Sequence, residues 1–128
     1  MSADNEKIDK LTVQGQHLLA DLFGVDDAKL KDPASLIKLF KESAGAVNLA
    51  PSGEPHIARF GHENSTGSIF LEDSHSRISF NSYPDANYIA IDIFTPGDGE
   101  PEKIFSRLLD SLSPQMVRKT IISRGLLS

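Results

Sequence analysis

The strongest constraint on the fold of this chain is a segment in which branched apolar residues occupy every second position. Between Tyr88 and Phe94 the three isoleucines are Ile89, Ile91 and Ile93. Successive side chains of a β-strand point to opposite sides, so the isoleucines share one face of an extended segment. The pattern predicts a central strand whose isoleucine face lies in a core.

Other short β-type runs punctuated by turn residues lie on both sides of this segment. The run from Gly15 to Val25 is compatible with a helix start or a buried strand, and we favour a strand. Links of hairpin length between the runs predict antiparallel pairing. The remaining predicted strands are Val47–Ala50, His56–Phe60, Gly67–Leu71, Arg77–Ser82 and Met116–Ser123.

Two amphipathic helices are predicted between the strands. Asp32-Pro33 is a typical helix start, because the Asp side chain accepts from free N–H groups and Pro fits the first turn. That helix should run to about Ser43, and a second should begin at Pro101 and end before Pro114. Each carries one apolar stripe. The element order predicts an α+β fold, a two-layer α/β sandwich with an antiparallel sheet and helices on one face.

Composition restricts the organisation and the chemistry. The 128 residues predict one domain over residues 11–128 after a disordered polar tail, residues 1–10. With no cysteine, disulfides, thiolate metal sites and cysteine nucleophiles are excluded. A net charge of −5 without a Lys/Arg cluster argues against nucleic acid and anionic lipid as partners. No apolar run is long enough to span a membrane, and the start lacks the apolar stretch of a secretory signal. We therefore expect a cytoplasmic protein with small-molecule or protein partners.

The four histidines do not predict a metal site. His17, His56, His62 and His75 lack the i,i+4 helical spacing of metalloproteases. We expect no metal ion, and His17 to be a buried, hydrogen-bonded strand residue.

Several motifs together resemble the small prokaryotic S-adenosylmethionine decarboxylases. Their order and spacing are similar to the family's Glu-Ser-His, Ile-His-Thr-Trp-Pro-Glu and Asp-Val-Phe-Thr-Cys-Gly blocks, and the likeness spans roughly Gly15 to Gly125. The segments that carry it are Gly15–Gly24, Thr66-Gly67, Leu71–His75, Ile78–Asp85 and Tyr88–Gly97.

The resemblance implies a proenzyme that cuts its own backbone. In the family, a serine hydroxyl attacks the preceding carbonyl, an ester forms, and elimination leaves a pyruvoyl group at a new N-terminus. That group is the electron sink when CO₂ leaves the substrate. The resemblance also implies homodimers that pair through their sheets, and a role in the synthesis of polyamines such as spermidine.

Two serines match the self-cleaving position. Counting from Gly67 gives Ser74, followed by His75, and counting back from Tyr83-Pro84-Asp85 gives Ser76. Both counts hold if two residues are inserted in the turn, and an even insertion preserves the face of every later side chain. We favour Ser74, with Ser76 as the alternative. The same cluster is also compatible with a plain polar hairpin turn.

The sequence departs from the family at two catalytic positions. Asn81 stands where the family has the histidine of the elimination step, and an amide has no useful basicity. Pro96 stands where the family has the cysteine that protonates the product carbon. Neighbouring His75, Ser82 or Thr95 are candidate substitutes.

Four further positions match a ligand pocket. Phe60 matches the aromatic residue that the family stacks on adenine, Thr66 replaces a small hydroxyl residue, and Asp85 replaces the Glu expected at the ribose. Tyr83 completes the set of candidate substrate-binding residues. Two functions follow from the resemblance. One is a pyruvoyl-dependent carboxy-lyase acting on S-adenosylmethionine, or on arginine or ornithine instead. The other is a non-catalytic homologue that binds a ligand or regulates a partner subunit.

Overall fold

The computed structural model describes residues 14–72, 75–97 and 99–125. The predicted tail, residues 1–10, lies outside them. The strands are β1 (Gly15–Phe23), β2 (Pro51–Phe60), β3 (Asn64–Leu71), β4 (Arg77–Tyr83), β5 (Tyr88–Pro96) and β6 (Met116–Arg124). The α-helices are α1 (Asp27–Leu30), α2 (Pro33–Ala44) and α3 (Pro101–Leu112), and 3₁₀ turns lie at Gly45–Val47 and Pro84–Ala86.

The six strands form one antiparallel sheet in the order β2-β3-β4-β5-β1-β6. β5 lies between β4 and β1, so the prediction of a central strand is confirmed. Its three isoleucines are fully or almost fully buried. The helices α2 and α3 cover this side of the sheet, and the α+β sandwich predicted from the sequence is confirmed.

The two long helices begin and pack as their sequences predict. The Asp32 carboxylate accepts a hydrogen bond from the Ala34 amide at 3.0 Å and another from the Ser35 hydroxyl at 2.8 Å. These bonds hold the pKa of Asp32 below its usual value. The apolar stripes lie in the core, with Leu36, Ile37 and Phe40 of α2 and Ile104, Phe105, Leu108 and Leu112 of α3.

Two local predictions need correction, and one short helix was missed. Residues 47–50 do not form the predicted strand: Val47 ends a 3₁₀ turn, and Asn48 adopts the left-handed conformation that closes it. β2 begins at Pro51, not at His56, and an irregularity in register between Ser52 and His56 accommodates the extra residues. The short helix α1, capped by the Asp26 side chain, was not predicted.

Alternation along the strands gives the sheet a second face that α2 and α3 do not cover, the helix-free face. On β4 it carries Arg77, Ser79, Asn81 and Tyr83, and on β5 it carries Tyr88, Ala90, Asp92 and Phe94. All eight residues are exposed or only partly buried. Among the described residues, no helix is both long and apolar enough to cross a membrane.

Candidate functional site

Ser76 lies at the point where the chain enters β4. Its carbonyl accepts a hydrogen bond from the Leu71 amide at 3.0 Å, which closes the β3–β4 hairpin. Ser76 is buried, with 1% of its surface exposed, whereas His75 before it is exposed. Ser74 lies outside the described residues. Of the two candidate serines, the structure therefore describes the surroundings of Ser76 alone.

Thr95 is the neighbour of Ser76 on the adjacent strand. Arg77 pairs with Phe94 across β4 and β5, and the next step of this antiparallel register brings Ser76 to Thr95. Thr95 is 2% exposed, and its hydroxyl oxygen has no hydrogen-bond partner among the described residues. Both side chains, together with Pro96, line a cavity of about 290 Å³. This cavity is the candidate site for chemistry at Ser76, and we call it the Ser76 cavity.

The buried position of Thr95 has a signal in the sequence. Thr95 continues the alternation of Ile89, Ile91 and Ile93 and so belongs to the core face of β5. A buried hydroxyl usually has a hydrogen-bond partner. Gly99 packs closely against Thr95, since a Cβ on Gly99 would lie 2.7 Å from the Thr95 hydroxyl.

Asn81 is not close to Ser76 within this chain. The two residues are five positions apart on one extended segment, and an odd separation places their side chains on opposite faces of the sheet. Ser76 is buried on the helix side, and Asn81 is exposed on the helix-free face. The structure thus separates two residues that the sequence assigned to one catalytic group.

The candidate binding residues gather at the far end of β4. Phe60, 40% exposed, meets Tyr83 edge to face at 6.0 Å between ring centroids. Thr66 pairs with Asn81 across β3 and β4. Asp85 lies exposed in the 3₁₀ turn after Tyr83. Tyr83 lies six positions along β4 from Arg77, about 20 Å in an extended strand, so the candidate binding residues lie far from the Ser76 cavity.

An aromatic row extends from Tyr83 across the helix-free face. Tyr83 stacks on Tyr88 at 5.6 Å, and Tyr88 stacks on Phe23 at 5.3 Å. The Tyr88 hydroxyl donates to the Asp21 carboxylate at 2.5 Å. Burial and this hydrogen bond raise the pKa of Tyr88 to about 12. The row offers flat apolar surface suited to an aromatic ligand or a protein partner.

The structure gives the hydrogen-bond partners of two other residues singled out in the sequence, Ser82 and His17. Ser82 is fully buried, and its hydroxyl donates to the Leu30 carbonyl at 2.8 Å at the far end of β4. It is therefore too remote to act at Ser76. His17 is not buried as predicted, since 18% of its side chain is exposed, but it is hydrogen-bonded, with Nε2 3.1 Å from Asp92. Across the described ranges, no cluster of three potential metal ligands occurs.

Comparisons with known proteins agree on one family. The family model for S-adenosylmethionine decarboxylase matches residues 16–125. A protein named S-adenosylmethionine decarboxylase proenzyme from a Sulfurihydrogenibium species is 34% identical over 112 residues, which are 87% of this chain and 82% of that protein. A proenzyme of the same name from Archaeoglobus fulgidus is 26% identical over 114 residues and is matched over 99% of its length.

A solved structure shows the same fold. The crystal structure of the adenosylmethionine decarboxylase from Aquifex aeolicus superposes with a TM-score of 0.80 at 26% sequence identity. The match covers 91% of this chain and 94% of that one.

Proposed function

The chain belongs to the S-adenosylmethionine decarboxylase family, and on that premise we propose that it is a self-cleaving, pyruvoyl-dependent decarboxylase. The observation that carries the proposal is the Ser76 cavity. It combines a buried serine at the end of a hairpin with a buried, unpartnered Thr95 hydroxyl on the next strand. A reactive group formed there would be shielded from bulk water.

Self-cleavage at Ser76 needs no component from outside the chain except water. The Ser76 hydroxyl attacks the carbonyl of His75, and the peptide bond is exchanged for an ester. Elimination across Cα and Cβ of Ser76 then expels the His75 carboxylate. Hydrolysis of the resulting dehydroalanine releases ammonia and leaves a pyruvoyl group on the shorter chain. The same steps at Ser74 would instead release the backbone carboxylate of Asp73 as the new C-terminus.

The hairpin geometry supports Ser76 as the nucleophile. The hydrogen bond from the Leu71 amide fixes the Ser76 carbonyl, and burial restricts its side chain. A fixed geometry is what attack on an adjacent carbonyl requires. Ser74 remains the alternative that the motif count favours, and substitution of each serine decides between them.

The residues around the Ser76 cavity fit a small ketone. Thr95 supplies an unsatisfied buried hydroxyl, which is a ready hydrogen-bond donor. Pro96 adds apolar wall without a side-chain proton. When present, the pyruvoyl group supplies the electron-withdrawing carbonyl that decarboxylation of an amino acid requires. Thr95 and Pro96 are the residues that would hold it.

The missing acid and base shape the mechanism. Pro96 has no proton to give, and Asn81 is a poor base. Since Ser82 is bound to the Leu30 carbonyl, Thr95 is the described hydroxyl residue beside Ser76 that remains available. We assign to Thr95 the task of orienting the carbonyl or a water molecule during cleavage. Its high ordinary pKa makes direct proton transfer slow, so a slow reaction is expected.

A homodimer would bring the binding cluster of one chain over the Ser76 end of the other chain's sheet, while the Ser76 side chain itself faces the helices. Within one chain, the Ser76 cavity and the cluster of Phe60, Asn81 and Tyr83 lie at opposite ends of the sheet. Two chains related by a two-fold axis and packed through their helix-free faces would place the far end of one β4 against the near end of the other. The aromatic row supplies apolar area for that contact.

The proposed substrate is S-adenosylmethionine, with arginine or ornithine as alternatives. Phe60 and Tyr83 offer aromatic faces for adenine, and the exposed Asp85 carboxylate offers an acceptor for ribose hydroxyls. The proposal includes the family's place in polyamine synthesis and a cytoplasmic location. Release of CO₂ measured separately with the three substrates identifies the one that is used.

A non-catalytic role is the second candidate. Asn81 and Pro96 replace the family's catalytic histidine and cysteine, whereas the aromatic pair Phe60 and Tyr83 is present. This combination suits a chain that binds a ligand without turning it over. Intact mass spectrometry separates the candidates. Two fragments, of which the shorter has a pyruvoyl group at its N-terminus, support the decarboxylase. One full-length chain that still binds a partner supports the regulatory role.

A further inference from the structure

The two outer strands of the sheet, β2 and β6, differ in how their outer edges are protected. β2 contains Pro51 and Pro55, and its register with β3 is irregular between Ser52 and His56. Proline lacks the N–H group that a further strand would bind, and an irregular register interrupts the row of backbone groups. The edge of β2 is therefore blocked against a further strand.

The other outer strand, β6 (Met116–Arg124), has none of these features. Its nine residues contain neither proline nor glycine, and each pairs with a residue of β1 in one unbroken register. All nine are exposed. Alternate residues of such a strand direct their N–H and C=O groups away from the sheet, towards the position of a further strand. β6 is therefore an open edge.

The helix layer ends before it reaches β6. Val117 and Ile121 lie on the helix side of the sheet, because they pair with the core residues Leu22 and Leu18 of β1. Those two leucines are fully buried, whereas Val117 and Ile121 are each 40% exposed. A cavity of about 410 Å³ lies beside Ile121, between β6 and the start of α3. Apolar side chains of an added strand would bury this uncovered surface.

The charged residues of β6 are all basic. Arg118, Lys119 and Arg124 occur in this strand without an acidic residue, in a chain of net charge −5. Lys119 pairs with Glu102 on the helix side. The Arg118 side chain is 74% exposed and reaches Asp21 only at 3.4 Å, and across the described ranges Arg124 has no carboxylate partner. The side of β6 away from the helices therefore keeps positive charge that carboxylates would complement.

We propose that the edge of β6 binds an extended segment of another protein in which apolar residues alternate with acidic ones. Alternate side chains of that segment would lie beside Val117 and Ile121 on one side of the sheet, and beside Arg118 and Arg124 on the other. Backbone hydrogen bonds supply the affinity, and the two sets of side chains supply the specificity.

The inference goes beyond the proposed function and does not depend on self-cleavage. A homodimer packed through the helix-free faces covers one face of the sheet, whereas an added strand extends the sheet within its own plane. The two modes of association therefore use different parts of β6.

The probe is a synthetic peptide of about eight residues in which valine alternates with glutamate. By calorimetry, we expect it to bind the wild-type chain roughly tenfold more tightly than a peptide with lysine in place of each glutamate. A third peptide, with proline in place of one central valine, should also bind roughly tenfold more weakly, because it lacks a central N–H group. No binding of the first peptide, or equal binding of all three, would overturn the proposal.

Two matched variants locate the site. Ile121→Glu on β6 and Ile57→Glu on β2 each change a similarly exposed isoleucine on the helix side of an outer strand. Ile121→Glu should weaken binding of the valine–glutamate peptide roughly tenfold, because it removes apolar contact surface. Ile57→Glu should leave binding unchanged. Equal loss in both variants, or no loss in Ile121→Glu, contradicts the assignment to β6.

Amide hydrogen exchange of the wild-type chain gives a readout that needs no variant. The valine–glutamate peptide should slow exchange within β6 and leave exchange within β2 unchanged. Slowing confined to other strands contradicts the proposal.

Light scattering tests a different occupant of the edge, a second copy of this chain. The wild-type and Ile121→Glu chains should form particles of the same mass in solution. A smaller mass for Ile121→Glu would assign the edge of β6 to a second copy and overturn the proposal.

Discussion

Ser76 and Asn81 lie five positions apart along one extended segment, and their side chains lie on opposite faces of the sheet. Ser76 is buried beneath the helices, whereas Asn81 faces outward beside Thr66 on the neighbouring strand. A single chain therefore cannot bring the Asn81 amide to the Ser76 hydroxyl without dismantling β4.

This relationship predicts that Asn81 takes no part in self-cleavage. Ser76→Ala should stay a single chain, whereas Asn81→Ala should be cut at the wild-type rate, because its side chain lies on the opposite face of the sheet from Ser76. Gel analysis of freshly translated chain measures the cleavage of both variants.

Slower cleavage of an Asn81→Ala chain that is as stable as the wild type would contradict the separation of the two residues.

Thr95→Val tests the buried hydroxyl of the Ser76 cavity. Valine keeps the shape of threonine and removes the unpartnered oxygen, so the fold should be retained or slightly stabilised. Self-cleavage should slow by roughly tenfold to a hundredfold. Gel analysis of freshly translated chain measures the cleavage rate.

Ser82→Ala is the matched control for Thr95. It removes a buried hydroxyl on the adjacent strand and leaves the Leu30 carbonyl without its donor, which should lower stability by about 1–3 kcal/mol. Cleavage should proceed at the wild-type rate. If self-cleavage slows equally in both variants, the cause is lost stability and not the loss of the Thr95 hydroxyl.

Gly67→Ala tests the packing between the sheet and α2. A Cβ at Gly67 would lie 2.4 Å from the Phe80 ring and 3.0 Å from the Ile37 side chain. We expect a loss of about 1–3 kcal/mol in the free energy of unfolding, measured in urea.

Gly45→Ala is the control for Gly67, because the new Cβ meets nothing closer than 3.9 Å and the backbone there is helical. It should leave stability unchanged or raise it slightly. A Gly67→Ala chain as stable as the wild type would show that Phe80 is not packed as described.

The Tyr88 hydroxyl should lose its proton only at unusually high pH. Burial and the hydrogen bond to Asp21 raise its pKa to about 12, against an ordinary value of 10.0. The folded state therefore holds this proton more tightly than the unfolded chain does. The stabilisation is fully present below pH 10 and is lost as the pH rises towards 12.

Phenolate absorbance in a Tyr83→Phe background measures the Tyr88 pKa directly. Asp21→Ala in the same background should lower the midpoint towards its ordinary value. A midpoint near 10 before this substitution, in a chain that is still folded, would contradict the described environment.

Much of the fold could be predicted because its local signals agree. The alternating isoleucines define β5, and the Asp32-Pro33 pair defines the start of α2. The strand predicted at residues 47–50 failed because four mostly apolar residues fit several structures. There the left-handed conformation of Asn48 decided the outcome.

The candidate site could be predicted only in part. Motif spacing found Ser76, Asn81 and Pro96, and the odd separation of Ser76 from Asn81 was already readable as opposite faces. The lack of a hydrogen-bond partner for the Thr95 hydroxyl could not be predicted, because it depends on which side chains surround Thr95 after packing.

The central claim is that the chain breaks its own backbone beside the Ser76 cavity. Intact mass spectrometry of the freshly purified protein tests this most directly. The account predicts two chains, a longer one ending at His75 and a shorter one whose first residue, at position 76, is a pyruvoyl group that blocks Edman sequencing. In Ser76→Ala the chain should stay whole, while Ser74→Ala should still be cut. A single uncut wild-type chain of full mass would contradict the account.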